Sequence, residues 1–316
     1  IRIRNCGSWI MDKILILAGG YSNEREISLI TAKSVIHELK KNKKYKLLLI
    51  EPDGSFVKKL RKFKPSLVLN LLHGRYGEDG YIQSVLESEK VKYSHSGVLS
   101  SSLAIDKELS KKIFIKNNIL TPPYIKFSFK NNIDIKNTIK KIDKNLQFPV
   151  VLKPINEGSS VGVYICNKKK FISCLMKLEK FKDILIEKYI PGREIQAAVL
   201  GKKKLGIIEL KPKRKFYDYK AKYSTSAKTE HIIPVNLSSR NFNKINSIAM
   251  KAHTLLKCRG VSRSDFRFYK DKFYLLELNT QPGMTSLSLV PEIARYKNIS
   301  FIQLIEEIMR DAAINK

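Results

Sequence analysis

The chain has 316 residues, 43% of them hydrophobic, which is enough for two or three compact domains and excludes a disordered tail. Its apolar runs are strand-sized and fall short of the ~18 consecutive apolar residues of a membrane helix, so no membrane partner is expected. The formal net charge of +31 suggests nucleic-acid binding, but the lysines are scattered along the whole chain instead of clustering with aromatic residues. We therefore expect no nucleic-acid partner.

The cysteines and the first residues bear on the cellular compartment. The four cysteines form no Cys-x-x-Cys pair, which argues against a zinc knuckle or a disulfide framework and indicates a cytoplasmic protein. Residues 1–10 lack the apolar stretch of a secretory signal. We interpret residues 1–11 as a non-native or upstream extension, with Met11 as the natural start.

An α/β unit with parallel strands is predicted for residues 12–97. It opens with the buried-strand pattern KILILAGG, which ends in two glycines. Asn23 and Glu26 have the spacing of a helix capping box, and helical periodicity follows them. Further strands are predicted at residues 45–50 and 66–72. The pattern is typical of a Rossmann-like substrate domain, although the Gly-x-Gly-x-x-Gly dinucleotide fingerprint is absent.

Two loops of this unit follow the carboxyl ends of its strands, where ligands bind in parallel sheets. Glu24 lies in the first loop and His73 in the second, so the two side chains are expected to share a crevice. Each residue also has a structural interpretation. Glu24 fits a carboxylate that stabilises a helix dipole, and His73 fits a loop histidine with its hydrogen bonds satisfied.

A second unit, residues 98–186, is predicted to begin with a helix that Asp106 caps. Strands are predicted at residues 148–154 and 161–166, and the loop between them has the sequence INEGSS. Free backbone NH groups and two hydroxyls can surround phosphate oxygens, and Lys153 lies beside the loop. An ordinary hairpin loop is the alternative.

The third unit, residues 187–316, is predicted to continue an antiparallel sheet, with strands at residues 184–189, 195–200 and 205–210. A segment at residues 213–230 then shows almost no apolar periodicity but contains several tyrosines and lysines. Long loops of this kind are usually lids over a site or mobile linkers, and the aromatic content favours a lid.

A β-hairpin is predicted near the end of this unit. Pairing Phe266 with Leu276 in the core leaves a three-residue loop at residues 270–272 and sets Asp265 opposite Glu277. These two carboxylates would share a face with Arg263 and Asn279. Facing carboxylates suit Mg²⁺ with bound phosphates, whereas ion pairs with Arg263 and Arg267 are the alternative. A phosphate loop, a lid and a metal pair together indicate phosphoryl transfer.

Five motifs, in order, resemble those of the D-alanine–D-alanine ligase family of ATP-grasp enzymes. They are GGYSNEREIS (19–28), LHGRYGEDG (72–80), EGSSVG (157–162), FYDYKAKY (216–223) and ELNTQPGMT (277–285). The resemblance covers about residues 11–310, and it departs at Gln281, where many relatives carry serine. It implies an α/β and α+β ATP-grasp fold, in which a Rossmann-like parallel-sheet domain precedes two antiparallel-sheet domains that clasp ATP.

The same resemblance implies that ATP phosphorylates the carboxylate of one D-alanine and that the amine of a second attacks the acyl phosphate. The product is the dipeptide of peptidoglycan. Glu24 and His73 would hold the first D-alanine, Ser159 and Tyr223 would join the phosphate loop to the lid, and Ser288 would anchor the second carboxylate. Arg263 and the backbone NH of Gly283 would stabilise the tetrahedral oxyanion.

The remaining implied roles concern ATP and metal. ATP would be bound by Lys107, Lys153, Glu187, Ile190, Glu194 and Lys222. Two ions of Mg²⁺ or Mn²⁺ would be bound by Asp265, Glu277 and Asn279. The resemblance also implies a homodimer. Two alternatives remain: another ATP-grasp ligase that joins a different carboxylate and amine, and a non-enzymatic basic protein that binds DNA in a salt-dependent way without ATP turnover.

Overall fold

The computed structural model describes residues 11–130, 134–211, 229–285 and 288–314. Its first part is a three-stranded parallel sheet in the order β2-β1-β3, as predicted. The elements are β1 (Asp12–Leu17), α1 (Arg25–Lys40), β2 (Tyr45–Ile50), α2 (Phe56–Phe63), β3 (Leu67–Asn70) and α3 (Tyr81–Ser88). Because all three strands run in the same direction, the loops after β1 and β3 meet at one edge of the sheet.

A four-stranded antiparallel sheet in the order β4-β7-β5-β6 forms the second part. The elements are α4 (Val98–Ile105), α5 (Lys107–Lys116), β4 (Tyr124–Ser128), α6 (Ile135–Asn145), β5 (Val150–Pro154), β6 (Tyr164–Cys166), α7 (Phe171–Met176) and β7 (Asp183–Lys188). The boundary predicted between residues 186 and 187 falls inside β7, so this sheet ends two residues later than expected. The division of the chain into domains stays a prediction.

A five-stranded antiparallel sheet in the order β10-β9-β8-β11-β12 forms the third part. The elements are β8 (Arg193–Leu200), β9 (Lys203–Lys211), β10 (Glu230–Ile232), α8 (Ser239–Leu255), β11 (Val261–Tyr269), β12 (Lys272–Asn279), α9 (Leu289–Tyr296) and α10 (Phe301–Arg310). The predicted lid at 213–230 lies outside the described residues except for its last two positions.

The hairpin of β11 and β12 confirms one predicted pairing and corrects another. Asp265 lies opposite Glu277, as expected, but Phe266 pairs with Leu275, because a β-bulge shifts the register after Asp265. Leu276 therefore leaves the core and lines a pocket. The predicted three-residue loop was also wrong. The turn consists of Lys270 and Asp271, both with positive φ, as in the two-residue turns that match the twist of a hairpin.

Of the two predicted helix N-caps, one is confirmed and the other is wrong. Asp106 caps α5 by accepting hydrogen bonds from the backbone NH groups of Glu108 and Leu109, as predicted. The capping box predicted at Asn23 was wrong, because α1 begins at Arg25 and its N-cap is Glu24, which makes no side-chain cap hydrogen bond. The Glu24 carboxylate is instead directed into a pocket.

One hydrophobic core joins the first and third parts of the molecule. Ile14 and Ile16 of β1 pack in the same cluster as Ala198 of β8, Ile293 of α9 and Ile305 of α10. Burial of this size stabilises the contact by roughly 2 kcal/mol per fully buried aliphatic side chain. The shared core fixes the parallel sheet against β8, α9 and α10. None of the helices in the described part of the chain has the length and apolar character of a membrane span.

Candidate active site

A pocket with about 850 Å³ of empty space lies between the two antiparallel sheets. Its walls include five residues that sequence reasoning assigned to ATP: Lys107, Lys153, Glu187, Ile190 and Glu194. Apolar side chains of β5, β6 and β12 complete it, among them Val151, Ile165 and Leu276. An apolar slot with lysines at one side suits a flat base attached to phosphates. This pocket is called the nucleotide pocket below.

A buried charge cluster forms one wall of the nucleotide pocket. The Glu187 carboxylate accepts contacts from Lys153 Nζ at 2.9 Å and from Lys111 Nζ at 3.1 Å, and all three side chains are buried. Burial alone would raise the pKa of Glu187, but the two ammonium groups overcome this effect and hold the pKa below its usual value. The cluster carries two positive charges and one negative charge.

Sequence reasoning missed Lys111 although a signal was available. Lys107 and Lys111 are four residues apart on α5 and therefore lie on one face of the helix. Burial lowers the pKa of Lys111 to about 8, with a smaller contribution from the nearby Lys153 charge, while Glu187 opposes the shift. A fully buried lysine is rare unless it is paired, so this residue is a candidate for a functional role.

A second pocket adjoins the first and is called the amino-acid pocket. It is lined by residues from all three parts of the molecule, including Glu24, His73, Ser159, Arg263, Asn279 and Gly283. Lys107, Glu157 and Glu277 line both pockets. Lys107 Nζ donates to the Glu157 carbonyl at 2.5 Å and lies 3.4 Å from Glu277 Oε2. The two pockets therefore meet at one lysine and two glutamates.

Glu24 is the acidic centre of the amino-acid pocket. Its Oε1 accepts a hydrogen bond from Ser159 Oγ, which links the first part of the molecule to the predicted phosphate loop. Two glycines surround the other oxygen. A Cβ at Gly74 would lie 2.9 Å from Glu24 Oε2, and a Cβ at Gly158 would lie 3.3 Å from it. The carboxylate thus has open space where a small ammonium group could bind.

His73 also lines the amino-acid pocket and has a partner at each ring nitrogen. Its Nδ1 lies 3.1 Å from Glu78 Oε1, and its Nε2 lies 3.3 Å from Thr31 Oγ1. This arrangement agrees with a satisfied loop histidine as well as with a ligand-facing residue. Burial raises the pKa of Glu78, and the negative charge of Glu24 raises it further, although His73 opposes the shift. Glu78 belongs to the HGRYGEDG motif, but no role was predicted for it.

The predicted metal ligands lie together at the junction of the two pockets. Asp265 is opposite Glu277, and Arg263 is opposite Asn279. The Arg263 guanidinium donates to both Asp265 oxygens, at 2.7 and 3.0 Å, which is the ion pair that the alternative interpretation expected. Arg267 pairs with Glu194 at 3.0 Å instead.

The side chains at this junction supply some, but not all, of the oxygen ligands that a hard cation needs. Among the described residues, no group of three or more His, Cys, Asp and Glu side chains could hold a metal ion. The predicted set has two carboxylates and one amide, which is the chemistry that Mg²⁺ accepts when substrate phosphates complete its coordination. In the structure, Arg263 and Lys107 place positive charge on these two carboxylates.

Three predicted residues stand apart from the pockets described so far. Ser288 does not line the amino-acid pocket. Its Oγ accepts a hydrogen bond from the Thr285 backbone NH at 3.0 Å and lies behind Gly283, where an added Cβ would approach it to 3.0 Å. Lys222 and Tyr223 lie outside the described residues. Their assigned roles stay predictions.

Comparison with known proteins identifies the family. A family model described as the D-ala D-ala ligase C-terminus matches residues 113–310. A D-alanine–D-alanine ligase of Pelagibacter ubique (strain HTCC1062) is 62% identical over 304 residues, which cover 96% of this chain and 99% of the relative. The corresponding enzyme of Wolbachia pipientis wMel is 43% identical over 308 residues, which cover 96% and 95%.

A solved structure gives the same result for the fold. The D-alanine–D-alanine ligase of Bacillus anthracis complexed with ATP superposes with a TM-score of 0.82 at 33% identity, covering 95% of this chain and 96% of that one. The predicted ATP-grasp fold and the predicted enzyme class are therefore confirmed. The chain belongs to the D-alanine–D-alanine ligase family.

Proposed function

We propose that the protein uses ATP to join two D-alanine molecules into D-alanyl-D-alanine, the dipeptide of peptidoglycan. One observation carries the proposal: the pocket that contains Glu24 meets the nucleotide pocket at Lys107 and Glu277. A carboxylate suited to an amino acid's ammonium group is thus placed beside the phosphate end of a nucleotide site. Phosphoryl transfer needs this positioning and charge neutralisation more than a nucleophilic side chain.

The reaction proceeds in two steps, phosphorylation of a carboxylate and then formation of the amide bond. A carboxylate oxygen of the first D-alanine attacks the γ-phosphorus of ATP, the bond to the β-phosphate oxygen breaks, and ADP leaves. The amine of the second D-alanine then attacks the acyl carbon, and inorganic phosphate leaves with the bonding electrons while the amine loses a proton. Glu24 holds the first ammonium group, and Arg263 and the Gly283 NH face the oxyanion of the second step.

Other residues of the chain bind and shield the reactants. The ammonium groups of Lys107 and Lys153 bind the phosphates, while Ile190 and the apolar side chains of the nucleotide pocket bind the base. Glu187 and Glu194 complete this pocket. Ser159 ties the phosphate loop to Glu24, which keeps water from an acyl phosphate that water would hydrolyse. Ser288, Lys222 and Tyr223 keep the roles predicted for them.

Magnesium or manganese ions belong to the same proposal. Asp265, Glu277 and Asn279 would hold two such ions, whose chemistry is to neutralise charge on the transferring phosphoryl group. The donor set supports this assignment, because two facing carboxylates and an amide oxygen are the hard oxygen ligands that these ions accept. In the structure, Arg263 and Lys107 place positive charge on the same two carboxylates.

The reaction is tested by measuring phosphate release from ATP with D-alanine, L-alanine and D-lactate as separate substrates. We expect release and dipeptide formation with D-alanine alone and no dipeptide with L-alanine. Turnover with a different carboxylate and amine, but not with D-alanine, would instead support another ATP-grasp ligase. No turnover with any substrate would overturn the proposal.

The metal assignment has its own test. Glu277→Gln keeps the shape of the side chain but removes the charge that would face the metal, so we expect loss of turnover at any Mg²⁺ concentration with an unchanged circular dichroism spectrum. Undiminished activity would remove the assignment.

We also propose a cytoplasmic location and a homodimer. The use of ATP supports the cytoplasmic location. The homodimer rests on the family resemblance, and light scattering at working concentration should then give twice the mass of one chain.

A further inference from the structure

Gln281 connects two parts of the molecule through a buried amide. Its side chain is only 2% exposed. The Nε2 group donates to the Leu72 carbonyl, and the Oε1 atom accepts from Asn70 Nδ2 at 3.0 Å. The backbone NH of the same residue donates to Asn279 Oδ1 at 2.8 Å. One residue thus touches both the end of β3 and a predicted metal ligand.

The contacts on the β3 side continue into the loop that carries His73 and Glu78. Asn70 Nδ2 also donates to the Gly77 carbonyl at 3.0 Å, and Gln83 Nε2 donates to the same carbonyl at 2.8 Å. The Leu72 NH donates to Asn70 Oδ1 at 3.2 Å. Leu72 directly precedes His73. The network therefore fixes the base of this loop and links it to Gln281.

The chemistry of the amide sets its orientation. The donor end of Gln281 faces a carbonyl and the acceptor end faces an amide NH₂ group, so rotating the amide by half a turn would oppose like groups at both ends. A buried polar group that loses its partner carries a desolvation penalty, which makes such a network rigid. Gln281 holds Leu72 and Asn279 at a fixed separation.

We propose that Gln281 is a positioning residue that sets the amino-acid pocket of the first part of the molecule against the predicted metal ligands at the end of β12. The proposal rests on the proposed function and extends it. Gln281 touches neither substrate, and it acts through the loop of His73 and through Asn279. Reacting groups misplaced by about 1 Å can cost up to a hundredfold in rate, so a buried bridge of this kind affects turnover.

The proposal predicts a selective effect. None of Asn70, Leu72 and Gln281 lines the nucleotide pocket, which is formed by the two antiparallel sheets and α5. The contact with Asn279 comes from the backbone NH of Gln281, which a change of side chain keeps. Removing the side-chain contacts with Leu72 and Asn70 should therefore change the use of D-alanine and leave ATP binding unaltered. General destabilisation would affect both ligands.

The test uses Gln281→Met, which keeps the volume and removes both polar contacts. We expect kcat/KM for D-alanine to fall about tenfold to a hundredfold, while the Kd for ATP, measured by calorimetry without D-alanine, changes less than twofold. Gln281→Leu serves as a second variant if the first fails to fold, because it also removes both side-chain hydrogen bonds and adds no buried charge. For this variant too, kcat/KM for D-alanine should fall while the Kd for ATP stays the same.

Asn246→Leu is the matched control. Asn246 is another buried amide in the third part, on α8, and it lines neither pocket. We expect its kcat/KM to equal that of the unmodified protein. A double variant that combines Gln281→Met with Asn70→Leu gives a further check. Its loss in kcat/KM for D-alanine should be smaller than the product of the two single losses, because both changes break the same bridge.

Two outcomes would overturn the positioning role: Gln281→Met with unchanged kcat/KM for D-alanine, or an equal loss of ATP affinity. Both require an unmodified protein that makes the dipeptide. An unmodified protein that makes none would overturn the proposed function instead, so the two failures are distinguishable.

Discussion

The buried charge cluster at the wall of the nucleotide pocket and the acidic centre of the amino-acid pocket lie close to each other but carry opposite charge excess. In the first, one carboxylate, Glu187, is shared by Lys111 and Lys153. In the second, burial raises the pKa of Glu78, the negative charge of Glu24 raises it further, and His73 lies beside Glu78. Each of these two groups of side chains thus holds a charge excess opposite to the ligand group proposed to bind near it, phosphates in one case and an ammonium in the other.

The pKa shifts record this difference. The pKa of Lys111 is lowered to about 8 chiefly by burial, with Lys153 adding to the effect, and the pKa of Glu78 is raised chiefly by burial, with Glu24 adding to it. In both places, burial destabilises the charged form of a side chain that carries the majority charge. Pre-arranged charge of this kind supplies binding energy without rearrangement of the protein.

The largest effect is expected from Glu24→Gln, which removes the charge that is proposed to pair with the ammonium group of D-alanine. Breaking a buried charge pair costs about 3 kcal/mol, so kcat/KM for D-alanine should fall about a hundredfold or more. ATP affinity should be kept. Steady-state kinetics of phosphate release measure the loss.

Glu26→Gln is the matched control for that change, because Glu26 lies two residues away with its side chain 77% exposed. It should leave kcat/KM unaltered. Equal activity of Glu24→Gln and the unmodified protein would show that the amino-acid pocket does not depend on its negative charge.

A smaller effect is expected from Lys111→Met, which reduces the positive charge of the nucleotide pocket. Of the two lysines that contact Glu187, Lys153 then remains, and its charge is neutralised by Glu187 instead of being available to phosphates. The KM for ATP should therefore rise about tenfold, while the KM for D-alanine stays the same. Removal of one partner from a buried ion pair also lowers the free energy of unfolding, by about 3 kcal/mol. Coupled kinetics and thermal denaturation measure the two effects.

Lys112→Met provides the comparison, since Lys112 is the next residue on α5, is 59% exposed and pairs with Glu108. We expect normal KM values for it. A rise in the KM for ATP in both variants would point to damage of the helix rather than to the charge cluster.

The smallest effect is a pH dependence of the same lysine. Because the pKa of Lys111 in the folded protein, about 8, lies below the usual lysine value of 10.5, the unfolded chain binds more protons between these pH values. The contribution of Lys111 to the free energy of unfolding should therefore increase as the pH rises from about 8 to 10.5, relative to Lys111→Met. Over the same range the KM for ATP should approach that of the variant. A constant difference would contradict the shifted pKa.

Local sequence patterns predicted a parallel sheet followed by antiparallel strands, but they did not predict every strand register. The strand at residues 45–50 and the cap at Asp106 follow from alternation and from side-chain chemistry close by in the sequence. The bulge after Asp265 does not, because a one-residue insertion in a strand leaves the local pattern of apolar residues ambiguous. Strict alternation therefore placed Leu276 in the core, although it lines the nucleotide pocket.

The site shows a similar division. Glu24 and His73 were expected to share a crevice because each follows the carboxyl end of a parallel strand, and both line the amino-acid pocket. Lys111 and Gln281 act through partners that are distant along the chain, Glu187 and Asn70. Contacts of this kind depend on how the sheets pack against each other, and a single sequence does not specify that packing.

The two glycines beside Glu24 limit how the protein could be redesigned to couple larger amino acids. Gly74 has a φ of +72, and a Cβ there would lie 2.9 Å from the Glu24 carboxylate, while a Cβ at Gly158 would press on the same oxygen at 3.3 Å. Enlarging the pocket must therefore begin at another lining residue, and the half-buried Ile105 is one that could be shortened. Redesign would keep both glycines.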